Sequence, residues 1–98
     1  MHATISSDIL ARYAGDAARE IDGVRGLVES HLPRHRGVRI SEEGGRVTVE
    51  LHLAVEWGAS IPAVGRSVQQ RVREYLQRMT DVQLASVDVV VDEIAAPR

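Results

Sequence analysis

One continuous block of sequence, residues 47–93, constrains the fold of this chain more than any other feature. Apolar and polar residues alternate strictly at its start, and the apolar positions that share one side are Val47, Val49, Leu51, Leu53, Val55 and Trp57. A period of two is typical of a β-strand, because successive side chains of a strand point to opposite faces. The block therefore begins with a strand that has one buried face and one face in water.

The rest of the block predicts a helix and a closing strand. After a Gly-Ala turn, Ser60 is placed to cap a helix that runs to Met79. Helical spacing predicts that this helix buries one side, made up of Ile61, Val64, Val68, Val72, Tyr75, Leu76 and Met79. The closing strand is predicted over Val82–Ile94, and its inward parity changes at Ala85 and Ser86, which indicates a β-bulge.

The first half of the chain begins with a predicted helix. Ser6, Ser7 and Asp8 follow Ile5, and their side-chain oxygens can accept hydrogen bonds from the free N–H groups of a first helical turn. Gly23 is placed to end this helix, since a residue tolerant of positive φ often stands there. Its apolar face is predicted to consist of Ile9, Leu10, Tyr13, Ala14, Ala17, Ala18 and Ile21.

Two short strands are predicted between the helix and the block. The first covers Val24–Ser30 and is broken by Pro33, and the second covers Val38–Ser41. Gly44 and Gly45 then predict a hairpin turn, because glycine supplies the positive φ values that two-residue hairpin loops require.

The order helix, strand, strand, strand, helix, strand predicts an α+β fold. We expect one mixed sheet of three to four strands, with both helices packed on its apolar face. A length of 98 residues suits one domain. We therefore predict a single domain over residues 1–98, with its core at about residues 5–94 and a short flexible tail at residues 95–98.

Composition and charge argue against several classes of function. The chain has no cysteine, which removes disulfides and thiolate metal ligands, and its net charge of −2 argues against nucleic-acid binding. No signal sequence and no run of roughly 20 apolar residues is present. We therefore expect a cytoplasmic location without direct membrane insertion. No nucleophile paired with a base and no phosphate-binding loop occurs, so no catalytic residue, cofactor or metal is predicted.

Two surfaces of opposite charge are predicted instead. The outward side of the sheet, beside Thr48 and His52, is expected to carry the acidic residues Glu50, Glu56, Asp88 and Asp92. The second helix is expected to present the basic residues Arg66, Arg71, Arg73 and Arg78. These surfaces predict self-association, in which the basic helix of one copy faces the acidic strands of another.

Two further residues of this candidate interaction surface have alternative interpretations. Trp57 is interpreted as a core residue beneath the helix, and the alternative is a contact with a partner protein. His52 stands between Glu50 and Glu56, and a carboxylate neighbour favours the charged imidazole. A pH-sensing role for His52 is therefore an alternative to an ordinary surface histidine.

Two other patterns suggest classes of function that compete with a scaffold. His31 and His35 have the spacing of a helical metal face, but Pro33 lies between them. The sequence Gly23–Gly26 matches the GxxG loop of KH modules, so an RNA-associated module using Arg25 and the loop arginines Arg34, Arg36 and Arg39 is the alternative function. No aromatic residue is interleaved with these arginines for base stacking.

The whole chain resembles the bacterial alkaline shock protein family, also called the envelope stress response family. The residues that carry the resemblance are the Ile5-Ser6 helix start, Asp22–Leu27, Trp57-Gly58, Ser67–Thr80 and Val87–Val91, and they span residues 5–94. The resemblance implies a small cytoplasmic, non-enzymatic protein tied to cell-envelope stress. It also implies self-association into a homo-oligomer and recruitment to the membrane by a membrane-anchored protein partner.

Overall fold

The computed structural model describes residues 5–29 and 37–96 and contains two helices and four strands. In chain order these are α1 (Ser7–Arg19), β1 (Val24–Leu27), β2 (Val38–Glu43), β3 (Arg46–Val55), α2 (Ile61–Met79) and β4 (Gln83–Ile94). The order predicted from the sequence is confirmed, and so is the α+β class.

Strand β3 forms the centre of a mixed sheet. Strand β4 runs parallel to it along one edge, from the Arg46–Gln83 pair to the Val55–Ile94 pair. Strands β2 and β1 both run antiparallel to β3, where β2 pairs with residues 46–51 and β1 with residues 53–55. Between them, the His52 N–H donates to the Gly37 carbonyl at 2.8 Å and the His52 carbonyl accepts from the Val28 N–H at 2.8 Å. Strands β1 and β2 are therefore successive pieces of one edge, and the sheet is three strands wide.

Both helices lie on one side of this sheet, which we call the covered face. It contains the inward residues of β3, and Val49, Leu51 and Leu53 are fully buried there. Helix α2 contributes the buried residues Val64, Val68, Val72 and Leu76, whose burial stabilises the fold by about 1.5–3 kcal/mol each. Helix α1 contributes mainly alanines, and these small side chains let its backbone lie close to the sheet.

The opposite side of the sheet, which we call the open face, has neither helix on it. It carries the outward residues of β3, which are Thr48, Glu50, His52 and Ala54, and the outward residues that pair with them on β2 and β4. Within residues 5–29 and 37–96, no helix combines the length and the apolarity needed to cross a membrane.

The predicted caps and hairpin are confirmed. The Ser6 hydroxyl accepts from the Ile9 N–H at 3.2 Å, and the Ser60 hydroxyl accepts from the Ala63 N–H at 3.3 Å. Gly44 and Gly45 join β2 to β3, with φ values of +60° and +81°.

Three predicted boundaries are wrong by a few residues. Helix α1 ends at Arg19 rather than near Gly23, and the first strand ends at Leu27 instead of continuing to Ser30. Strand β2 extends past the predicted end at Ser41 to Glu43, because its pairing with β3 continues up to the hairpin.

Three residues predicted to face the core are partly exposed. Ile9, Ile61 and Met79 expose 42%, 38% and 48% of their surface. All three lie in the first or last turn of a helix. Helical periodicity predicts the direction of a side chain, whereas burial also requires a neighbouring element at that point.

Strand β4 contains two bulges, of which the sequence predicted one. Leu84 pairs with Val47 and Ser86 pairs with Thr48, so Ala85 is the extra residue of the predicted bulge. A second irregularity lies between the pairs Leu53–Val91 and Ala54–Glu93, and it leaves Asp92 as an extra residue.

Candidate interaction surfaces

The His52 cluster, formed by Glu50, His52 and Asp92, lies at the centre of the open face. The His52 Nε2 atom lies 2.7 Å from Glu50 Oε2, and its Nδ1 atom lies 2.7 Å from Asp92 Oδ2. Glu50 precedes His52 by two residues on β3 and therefore shares its face, whereas Asp92 comes from the second bulge of β4. Two carboxylates thus hold the imidazole ring from both of its nitrogens.

These contacts raise the pKa of His52 above its ordinary value of 6.5. The hydrogen bond to Glu50 is the largest cause, and partial burial of the ring opposes it. The hydrogen bond to Asp92 and the charges of both carboxylates raise the pKa further. The imidazolium form is favoured because each of its two N–H groups has an acceptor.

The His52 cluster is suited to holding charge rather than a metal ion. Its two carboxylates approach different ring nitrogens, so the three side chains do not converge on one point. Among residues 5–29 and 37–96, no group of three potential ligands is placed to bind a metal. With His52 protonated the cluster carries one net negative charge, and with His52 neutral it carries two.

Glu56 does not occupy the position beside His52 that the sequence predicted. It follows the end of β3, and its Oε2 atom lies 3.7 Å from Arg25 Nη1. Asp92 holds the ring instead: Val90 is the residue opposite His52, and Asp92, the extra residue of the second bulge, reaches the ring from two positions further along β4. Asp88 lies opposite Glu50 on β4 and is exposed, so Glu50, Asp88 and Asp92 form an acidic group on the open face. On the other side of β3, the exposed Arg39 lies opposite Glu50 on β2.

The outer side of α2 carries the four predicted arginines, but two of them are engaged within the chain. Arg71 donates to the carboxylate of Glu20, the residue that follows α1, and the Arg78 guanidinium lies 5.8 Å from the centre of the Tyr75 ring. Arg66 and Arg73 are exposed, and neither has an ion pair with another residue in the described part of the chain. These two arginines are therefore available to a partner.

Trp57 lies on the surface, and the prediction that it packs in the core is wrong. Strand β3 ends at Val55, and the chain then makes a tight turn in which the Ala59 N–H donates to the Glu56 carbonyl at 3.1 Å. Gly58 has a φ of +87°, so Trp57 occupies the tip of this turn. Trp57 as a whole residue is 65% exposed. Its second interpretation, a contact with a partner protein, remains a prediction.

The GxxG sequence at Gly23–Gly26 is not arranged as in a KH module. Gly23 lies in the turn after α1 and Gly26 lies inside β1, so the motif joins a helix to a strand rather than two helices. The histidine pair His31 and His35, with Arg34 and Arg36, lies outside the described residues. The RNA-associated alternative therefore gains no support from the geometry of its motif.

The helices, the mixed sheet and the open face define a class of small α+β domain in which one sheet face builds the core and the other faces solvent. Within this class, the chain belongs to the alkaline shock protein 23 family, described as having a cell envelope-related function, whose model matches residues 1–96. The resemblance to alkaline shock proteins seen in the sequence is thereby confirmed.

Several bacterial proteins are similar to this chain along most of its length. The uncharacterized protein YqhY of Bacillus subtilis is 30% identical over 95 residues, which cover 87% of this chain and 70% of that protein. The uncharacterized protein YloU of the same organism is 24% identical, over 92% of this chain and 85% of its own. A stress response regulator gls24 homolog of Streptococcus pyogenes is 26% identical and matches 93% of this chain, which spans 57% of that protein.

Solved structures with the same fold include variants of MamM CTD. One in a zinc form has a TM-score of 0.65 at 18% identity, with coverage of 87% of this chain and 82% of that one. A second variant has a TM-score of 0.62 at 14% identity, covering 93% of this chain and all of the other. At these identities the likeness shows a shared fold.

Proposed function

We propose that this chain is a non-enzymatic binding and scaffold protein of the bacterial cytoplasm, which associates with copies of itself and is recruited to the membrane by a membrane-anchored protein partner. The family's cell envelope-related function supports the setting. The observation that carries the proposal is the open face, a sheet surface that both helices leave uncovered.

The charges of the two sides of the molecule support self-association. The open face carries Glu50, Asp88 and Asp92, with Arg39 beside Glu50, while α2 on the opposite side presents Arg66 and Arg73 to solvent. Stacking the helices of one copy on the open face of the next brings opposite charges together. Each exposed pair contributes up to about 1 kcal/mol and is screened by salt, so this contact weakens as ionic strength rises.

Charge reversal on the two sides gives a test with opposite expected signs. The Arg66→Glu change places a negative charge on α2 and should weaken self-association. The Arg39→Glu change is chemically identical, but Arg39 pairs in register with Glu50 on the open face, so it should strengthen association. Sedimentation velocity at low and high salt measures both. A wild-type protein that stays monomeric at both salts, at about 50 µM, would contradict self-association.

Membrane recruitment requires a second experiment, because it depends on another protein. We expect the tagged chain to sediment with membranes in its native bacterium and to stay in the supernatant in a bacterium that lacks the family's partner. Sedimentation with membranes in both hosts would indicate direct lipid binding, and sedimentation in neither would contradict recruitment. Washing native membranes with high salt distinguishes a charge-dependent attachment from an apolar one.

A further inference from the structure

Three large hydrophobic residues are exposed at one end of the molecule, which we call the Trp57 end. They are Trp57, Ile61 and Ile94, with exposed fractions of 65%, 38% and 51%. Ile94 pairs with Val55, the last residue of β3, Trp57 follows in the next turn, and Ile61 begins α2. An exposed tryptophan beside aliphatic side chains is the composition of an interface hot spot.

An apolar groove lies at the opposite end of the same elements. It has a volume of about 470 Å³ and is bounded by the start of α1, the β2–β3 hairpin and the end of α2. Met79, one of its lining residues, is 48% exposed, and Glu42 and Asp81 provide its charges. Its apolar walls are formed by Ile5, Leu10, Val47, Met79 and Val82.

We propose that the Trp57 end of one copy docks into this groove on a second copy. The inference rests on the proposed self-association and adds to it an end-to-end contact, separate from the stacking of helices on the open face. Because β3 and α2 each run from one end to the other, the two surfaces cannot meet within one chain. The contact is therefore heterologous, and it continues from copy to copy unless the rotation closes a ring.

Size and charge favour a second copy as the occupant. A groove of about 470 Å³ lies within the range of pockets that hold small ligands, so it has room for an indole ring. The first turn of α2, wholly within the described residues, contains no acidic residue to balance the positive end of the helix dipole, and Glu56, in the turn before it, is engaged by Arg25. Docking would bring Glu42 and Asp81 of the neighbouring copy toward this end.

The single tryptophan of the chain reports directly on this contact. As protein concentration rises, Trp57 emission should shift to shorter wavelength because the indole leaves water. Trp57→Ala should weaken self-association about 30-fold, the effect of losing a hot-spot residue. Met79→Glu places a charge in the groove and should abolish the emission shift, whereas Met79→Leu should preserve it. Circular dichroism confirms that each variant is folded.

Disulfide crosslinking tests the geometry, since the chain has no cysteine of its own. Ala63 is exposed in the first turn of α2, at the Trp57 end, and Gln83 lines the groove. A mixture of the Ala63→Cys and Gln83→Cys variants should form mixed dimers in preference to dimers of either variant alone. The double variant should form a ladder of longer oligomers.

The outcomes separate this contact from self-association in general. Wild-type protein that is only monomeric would overturn both. Oligomers that form without the Trp57 emission shift and without mixed crosslinks would leave self-association standing and overturn the docking of Trp57 in the groove. Dimers of each single-cysteine variant that form as readily as mixed dimers would also overturn it.

Discussion

The two faces of strand β3 contrast within ten residues of sequence. On the covered face, Val49, Leu51 and Leu53 lose all contact with water, and each packs against helix side chains. On the open face, Glu50 and His52 stay partly exposed, and His52 contacts Asp92 of the neighbouring strand. One strand thus supplies the stability of the domain with one set of residues and its recognition surface with the other.

This contrast shows that the two faces tolerate change to different degrees. Apolar burial on the covered face is a large energetic contribution that depends on shape, because side chains in a protein interior are close-packed. The open face depends on hydrogen bonds and charges at a solvated surface, where each interaction contributes little to stability. Substitutions on the open face should therefore alter association without unfolding the protein.

The largest expected effect compares the same substitution on the two faces. Val49→Ala removes two methyl groups from a fully buried site and should lower the free energy of unfolding by about 2 kcal/mol. Val90→Ala, on the open face of β4, removes the same groups from a site that is 37% exposed, and it should change stability by at most about 0.5 kcal/mol. Urea denaturation measures both. If both variants lost the same unfolding free energy, Val90 would be buried in solution and the open face would be covered.

A smaller effect tests how firmly α2 is held over the covered face. Ser60→Ala removes the oxygen that accepts from the Ala63 N–H, and it should cost about 1 kcal/mol of unfolding free energy. Ser86→Ala makes the same change on the open face, where no helix begins, and should cost no more than about 0.5 kcal/mol. A Ser60→Ala variant as stable as wild type would show that this cap does not stabilise the start of α2.

The covered face was predictable because burial leaves a periodic signal. The alternation from Val47 to Val55 predicted the inward residues of β3, and the parity change at Ala85 predicted the first bulge. The prediction failed at Trp57. The alternation continues in the sequence through Glu56 and Trp57, but strand β3 has already ended at Val55. A pattern of side-chain direction carries no information about where the sheet stops.

The open face was predictable only in part. Its acidic character followed from the outward positions of Glu50, Asp88 and Asp92. The partner of His52 depended on the register between β3 and β4, whose residues are distant in sequence, and on a second bulge that no apolar residue marks. The engagement of Arg71 by Glu20 likewise depends on how α1 packs beside α2. Such contacts are set by tertiary packing and leave no local pattern.

The smallest expected effect concerns the relative importance of the two carboxylates around His52. The hydrogen bond that Glu50 accepts is the largest single cause of the raised pKa, and the hydrogen bond and the charge of Asp92 are each smaller than it. Glu50→Gln should therefore lower the pKa of His52 more than Asp92→Asn does. Titration of the imidazole signals by NMR measures both shifts, with the wild-type midpoint expected above 6.5. If Asp92→Asn lowers the pKa of His52 more than Glu50→Gln does, the contact that Asp92 makes from β4 is the dominant cause of the raised pKa.

The same shift fixes the sign of a pH effect on stability. Because the pKa of His52 is higher in the folded state than in the unfolded chain, its protonation stabilises the fold fully below about pH 6.5. This contribution is lost as pH rises through the raised pKa. Wild-type stability should consequently decline more than that of His52→Gln over this interval, in denaturant melts repeated at each pH. Parallel curves for the two proteins would mean that the carboxylates hold the neutral ring as well as the charged one.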